Sequence, residues 1–468
     1  MNDTSETSGR AVPGTEAGTT QDATRTLGRF VAGIRYDDLP VPVRERAKLA
    51  ILDWAGSTLS GTGSASASQV AALLDDLGGP GESTVVGRQG RYPALHASML
   101  NGVQGAVHEV DDVHIDCRIH PGLSVVSAAF ALAEREHADG RRLIEAVVAG
   151  YEVVVRVAVH LGVLHNRWWH ATGTAGAIGA AAAAAKVLGL DAAQCTGAIG
   201  LGATQGAGLI EGTEGKALGA KHFHGGKAAQ NGIWAALLAK RGFLGSATAL
   251  EGEFGFLAAF ARRRSTGPLI DRDALLDRLG DDWYILRTIS KPFACCLSSH
   301  AGIHALLALV REYDIRPQDV VSIEAFTNPG SYYMIRNPDP RDILQAKFSL
   351  PFALGAAVVR RDVSYRAFDD ATLWDPLVRS VMARVSLETR EEIGMIETRL
   401  RVRLADGRLV EGIGLRRSLE ATEVMEKYRG LVSGIVEPGH AEAIIAAIES
   451  LESATDVRAV GDVLAARN

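Results

Sequence analysis

TGTAGAIGAAAAAAKVLGLDAAQCTGAIGLGATQGA, residues 172–207, contains one lysine, one aspartate and no aromatic side chain. Its apolar residues recur every three to four positions, which predicts two helices, 172–188 and 192–206, the second capped by Asp191. Glycine inside a helix costs up to about 1 kcal/mol relative to alanine. Close approach of helix backbones offsets that cost, so the stretch reads as tightly packed central helices. The blandest part, Ala171 to Ala185, is bounded by His170 and Lys186 and is shorter than the roughly 20 residues a membrane span requires. Gly200, Gly202 and Gly206 do not have the spacing of a dinucleotide-binding fingerprint, and no strand precedes them.

Outward from this stretch the helical period continues through Val43–Ser60, Ala94–Val110, Leu123–Arg135, Leu143–Leu161 and Ala228–Lys240. Pro121 suits a first helical position, where the missing N–H is not needed. The texture changes after about Pro268. Val320–Thr327 reads as a strand, and ETRLRVRL (397–404) alternates strictly before an Asp406-Gly407 turn and a returning Leu409–Ile413, a hairpin. Helices are expected at His300–Glu312, Pro351–Arg360 and Asp375–Val385, and again from Ala421 to Ala466. The fold class is therefore mainly α, a large all-helical domain with a smaller inserted α+β domain. The expected divisions are a disordered tail 1–25, helical domain 26–267, α+β domain 268–417, and C-terminal helices 418–468 that return to the first domain.

At 468 residues, 47% hydrophobic and 22% charged, the chain has ample material for two or three packed units. A net charge of −6 with no long basic run argues against nucleic acid and against a polybasic membrane contact. Four cysteines, Cys117, Cys195, Cys295 and Cys296, form neither a disulfide framework nor a metal-ligand spacing. The polar residues 1–25 lack the apolar core of a signal peptide, and a reducing cytoplasm is the expected location.

Three clusters could carry chemistry. His108-Glu109-Val110-Asp111-Asp112-Val113-His114-Ile115-Asp116, followed by His120, could supply acid–base groups or, less well, bind a divalent ion, since no HExxH pattern is present. A solvated loop between helices is the plain alternative. Lys216, Lys221, His222, His224, Gly225, Gly226 and Lys227 precede a helix expected from about Ala228, where N–H groups and a glycine pair would receive a carboxylate or phosphate; a basic surface loop is the competing reading. His170, taken alone, reads as a packed histidine. In KPFACCLSSH (291–300), Cys295 reads as a small buried hydrophobe.

These clusters, in this order, resemble the MmgE/PrpD family. The resemblance runs through LDWAGSTLSG, NGVQGAVHEVDDVH, HPGLSVVSAAFALAE, HATGTAGAIGAAAAAAKVLGL, Lys221-x-x-His224-x-Gly226, KPFACCLSSHAGI and AKFSLPFALGAAV, nearly the whole chain after the tail. It implies a homodimer in which the α+β domain acts as a lid, and chemistry on a small polycarboxylate substrate with no cofactor and no metal. The reactions it implies are 2-methylcitrate dehydration, cis-aconitate decarboxylation or iminodisuccinate epimerisation. By resemblance, Glu109, His120 and His170 fall on catalytic positions, and Lys221, His224, Gly226, Lys291, Cys296 and, loosely, Tyr333 on substrate-binding ones. Val113 stands where a threonine often follows the acidic pair, and Cys296 where decarboxylases carry histidine. Both departures point away from decarboxylation, so dehydration of a 2-methylcitrate-like substrate is the expected reaction, with epimerase or decarboxylase as alternatives. A non-catalytic polycarboxylate-binding or scaffold protein is the alternative from another class, and keeping His120, His170, Lys221 and Lys291 argues against it.

Overall fold

The computed structural model describes residues 22–162, 164–213, 218–261 and 275–465. The first 21 residues, Lys216 and the expected junction at 268 lie outside the described residues.

The helical body is built from α1 (Val41–Ser60), α2 (Ala94–Ala106), α3 (Pro121–Arg135), α4 (Gly140–Leu161), α5 (Gly176–Val187), α6 (Ala192–Ala203) and α7 (Leu218–Lys240). All twelve residues of α5 are buried, and α3, α4, α6 and α7 pack around it. The small side chains are what permit this. A Cβ built on Gly150 of α4 would lie 3.0 Å from the carbonyl oxygen of Gly179 in α5, and one on Gly232 of α7 would lie 2.3 Å from the Ala180 Cβ. Asp191 caps α6 with a full capping box, its side chain and that of Gln194 exchanging bonds with each other's backbone. Pro121 opens α3 as expected.

Two short strands, β1 (Val113–His114) and β2 (Thr288–Ile289), pair antiparallel and tie the acidic loop to the entrance of the α+β domain. That domain comprises α8 (Leu297–Tyr313), α9 (Leu350–Arg360) and a sheet of β3 (Val320–Thr327), β4 (Val385–Thr389), β5 (Glu397–Leu404) and β6 (Leu409–Leu415). The sheet order is β4-β3-β5-β6, with only the β3–β4 pair parallel. The burial of β5 alternates as its sequence does, because one face covers α8 and the other meets solvent. Gly407 takes φ +90° in the hairpin turn. Val385, read from sequence as the end of a helix, opens β4 instead, and the helix before it stops at Met382.

The chain then returns to the helical body. α10 (Ala421–Val432) packs on α1, and its Lys427 ammonium reaches both the Asp53 carboxylate of α1 and the carbonyl oxygen of Val110 in the acidic loop.

Candidate active site

α2 ends at Ala106, and Pro121 restarts the helical path as α3, so residues 107–120 are free to fold over the helix ends. Within this loop Glu109 has φ +59° and Arg118 φ +57°. Left-handed backbone at a non-glycine residue costs roughly 1–2 kcal/mol. At Glu109 two ammonium groups compensate: the carboxylate pairs with Lys221 of α7 and lies 3.9 Å from Lys291. Lys291 also sits 3.5 Å from Asp111. Burial pushes the Glu109 carboxyl up, but Lys221 and then Lys291 outweigh it and hold it at about 2. For Asp111, burial is likewise outweighed, by His120 and Lys291, which keep it well below the usual carboxylate range. Burial works against the Lys291 ammonium, and Asp111 and Glu109 more than restore it.

His120 closes the loop as the N-cap of α3. Its Nδ1 is 3.0 Å from the Asp112 carbonyl oxygen and 2.6 Å from Asp111 Oδ2. A carbonyl can only accept, so Nδ1 keeps the proton in the neutral ring and Nε2 remains the basic nitrogen. The His120 backbone N–H donates to Thr172 Oγ1 at 3.1 Å. Asp112 braces the turn from behind, accepting from Gly122 N–H at 2.9 Å and from the Tyr151 hydroxyl at 2.6 Å. Burial raises the Asp112 carboxyl to about 6.

The His170 ring lies 5.9 Å from that of His120, centroid to centroid, and its Nδ1 is 3.1 Å from His224 Nδ1. Burial first, then Lys221, depresses both His170 and His224, so the pair is neutral near pH 7.

Glu109, His120, His170, Lys221, Lys291 and Cys296 line one cavity of about 90 Å³, together with Val113, Arg118, Ser298, Phe348 and Arg416. Six of the nine residues singled out by sequence thus converge on one space. The other three do not. His224 stands behind His170, facing a different hollow. Gly226 requires a correction: α7 begins at Leu218, ten residues before the expected start, so Gly226 is inside the helix and its N–H does not face an anion. It is glycine because α2 crosses there, and a Cβ would lie 2.2 Å from the Met99 carbonyl oxygen. Tyr333 is 71% exposed and lines an adjoining outer cleft of about 430 Å³. This cleft shares Asn166, Ile210, Met334 and Phe348 with the cavity.

Sequence reasoning gave no role to Lys347 or Arg416. Lys347 is buried, donates to the Val107 carbonyl at 3.0 Å, and is lowered to about 8 by burial and by the neighbouring Lys221 and Lys291. Its signal was available in the AKFSLPFALGAAV segment; Arg416, beside the more exposed Arg417, carried none. A larger hollow of about 740 Å³ lies between α8 and α10, but it is lined by none of these residues.

Among the described residues no group of three or more His, Cys, Asp or Glu side chains is placed to hold a metal ion. A divalent cation at Glu109 and Asp111 would meet the Lys221 and Lys291 ammonium groups already there. No described helix is long and apolar enough to cross a membrane.

The MmgE/PrpD N-terminal domain model matches residues 25–268, and the MmgE/PrpD C-terminal domain model matches 293–453. The chain belongs to the MmgE/PrpD family. Its mainly α, two-domain architecture is that of MmgE/PrpD proteins. Curated relatives include a cis-aconitate decarboxylase-like protein of Aspergillus oryzae, 28% identical over 93% of this chain and 96% of its own length. The cis-aconitate decarboxylase of Aspergillus terreus is 26% identical, covering 94% of this chain and 95% of its own. That of Homo sapiens is also 26% identical, covering 92% of each. In this MmgE/PrpD chain both departures named above, Val113 and Cys296, line the cavity itself.

Proposed function

We propose that the chain is a cofactor-free lyase acting on a small polycarboxylate by proton transfer at a carbon next to a carboxylate. The observation that carries this reading is the charge of the cavity wall: among its described lining residues Lys221, Lys291, Arg118 and Arg416 stand against the carboxylate of Glu109, around a histidine whose Nδ1 is pinned. Such a wall favours a multiply charged anion, and the lysines oppose negative charge that grows on the carboxylate as the adjacent proton leaves. His120 Nε2 takes or returns that proton. Neutral His170, held by His224, serves the second proton transfer.

In a dehydration the C–H bond breaks toward the base, its electron pair forms the double bond, and the β-hydroxyl leaves as water after receiving a proton. Dehydration of a 2-methylcitrate-like substrate is our first reading, supported by Val113, where a threonine often follows the acidic pair, and by Cys296, where decarboxylases carry histidine. Decarboxylation is the second reading, supported by the names of the relatives. Incubation with citrate, 2-methylcitrate, cis-aconitate and aminodicarboxylates in deuterated water, followed by NMR, separates them. Dehydration gives an unsaturated acid with every carboxyl retained, decarboxylation gives one carboxyl fewer, and epimerisation gives α-deuteration alone. Silence with the whole panel would sink the enzymatic reading and leave the binding or scaffold alternative.

A further inference from the structure

The four cations of the cavity wall are not equally compensated. Lys221, on α7 of the helical body, and Lys291, just after β2, are met by Glu109 and Asp111. Arg416 and Arg118 make no ion pair with any described carboxylate. Arg416 follows β6 and is 7% exposed; its backbone N–H goes to the Ile396 carbonyl, its Nη2 donates to Ser331 Oγ at 2.6 Å, and its Nε has no partner. Arg118 reaches the Gly330 carbonyl at 3.3 Å. Burying a guanidinium without a counter-ion is unfavourable, and burial indeed lowers Arg416 to about 10. Beside them α8 begins. No side chain caps it, and its first residues, Leu297 and Ser298, line the same cavity, so the positive end of a 17-residue helix faces the same space.

We propose that Arg416, with Arg118 and the first turn of α8, forms a subsite for a second carboxylate of the substrate, apart from the one held by Lys221 and Lys291. This rests on the polycarboxylate reading above and narrows it: the substrate carries at least two carboxylates, and the far one is read by Arg416 and α8 of the α+β domain together with Arg118 of the acidic loop. An arginine fork can grip a carboxylate through two parallel bonds, which a lysine cannot reproduce. The competing role for Arg416 is structural, holding Ser331 and the helix that carries it.

Calorimetric titration with tricarballylate, a saturated tricarboxylate with no hydroxyl to eliminate, tests the proposal on the full-length protein. Arg416→Gln is expected to weaken tricarballylate binding roughly 10- to 150-fold, the scale of a lost charge-assisted contact, and Arg416→Lys to recover part of it. Ser331→Ala, which removes the protein partner but keeps the guanidinium, is expected to bind nearly as the parent does. Lys221→Ala is the reference. If it weakens binding while Arg416→Gln does not, the subsite is wrong and the polycarboxylate reading stands. If Ser331→Ala loses as much as Arg416→Gln, the arginine is structural and the proposal fails. A parent that binds no tricarballylate overturns both.

Discussion

His120 and the two acids beside it show how one residue's neighbours set its chemistry. With Nδ1 committed to the Asp112 carbonyl, glutamine at 120 can keep a hydrogen bond but has no basic nitrogen. His120→Gln and His170→Gln are therefore expected to stay folded and to lose on the order of 100-fold in kcat on a substrate the parent turns over. Deuterium wash-in at the α-carbon assigns the base, since the variant lacking it stops exchanging. If kcat stays near parental in both while Tm falls, the histidines are structural. The acids predict pH effects of opposite sign. Glu109 titrates at about 2 in the fold against an ordinary 4.5, so its stabilisation is complete above about 4.5 and is lost as pH falls toward 2. Asp112 titrates at about 6 against an ordinary 3.8, so folding loses stability as pH rises from about 4 through 6. Urea unfolding across pH 3–7 checks both: Asp112→Asn should flatten the profile between about 4 and 6, and Glu109→Gln should flatten its acid limb.

Among the elements, the glycines of the body make the sharpest test, because propensity and packing predict opposite signs. Gly232→Ala should gain up to about 1 kcal/mol from helix propensity, yet its Cβ would lie 2.3 Å from that of Ala180. Overpacking of this kind costs roughly 1–3 kcal/mol, so destabilisation is expected. Gly430→Ala, exposed on α10 with nothing within 4 Å, should stabilise. Thermal melts of the two variants shifting in the same direction would contradict the packing account. These glycines also mark what could be read in advance. The small-residue run announced a central helix because nothing else fits between four neighbours. The strict alternation of 397–404 announced its strand, and Asp191 its cap. The start of α7 was not legible: Gly225 and Gly226 look like a loop in one dimension, and only the close approach of α3 at Gly225 and of α2 at Gly226 explains them. Nor was β4, whose pairing with β3 is a parallel contact about sixty residues distant and leaves no local pattern.

At the scale of the whole molecule, a homodimer is proposed on the resemblance together with exposed apolar surface. Phe223 and Trp234 lie eleven residues apart on α7, three turns, so they share a face, and Phe243 and Leu244 follow at the helix exit. Light scattering should give about twice the 49.5 kDa of one chain, and Trp234→Asp should shift it toward one; a parent near one chain mass at micromolar concentration would count against the dimer. Turnover should survive EDTA, and its loss with recovery on adding a divalent ion would require Glu109 and Asp111 to be reread as ligands. Finally, Lys427 clasps Asp53, near the beginning of the described chain, and the Val110 carbonyl next to Glu109. During synthesis, therefore, this clasp on the acidic loop closes only after Lys427 has emerged from the ribosome, later than the bonds the loop takes from Tyr151, Lys221, Lys291 and Lys347. Products of premature termination that carry every cavity residue through Arg416 but stop before Lys427 lack that clasp between the acidic loop and the first long helix of the body.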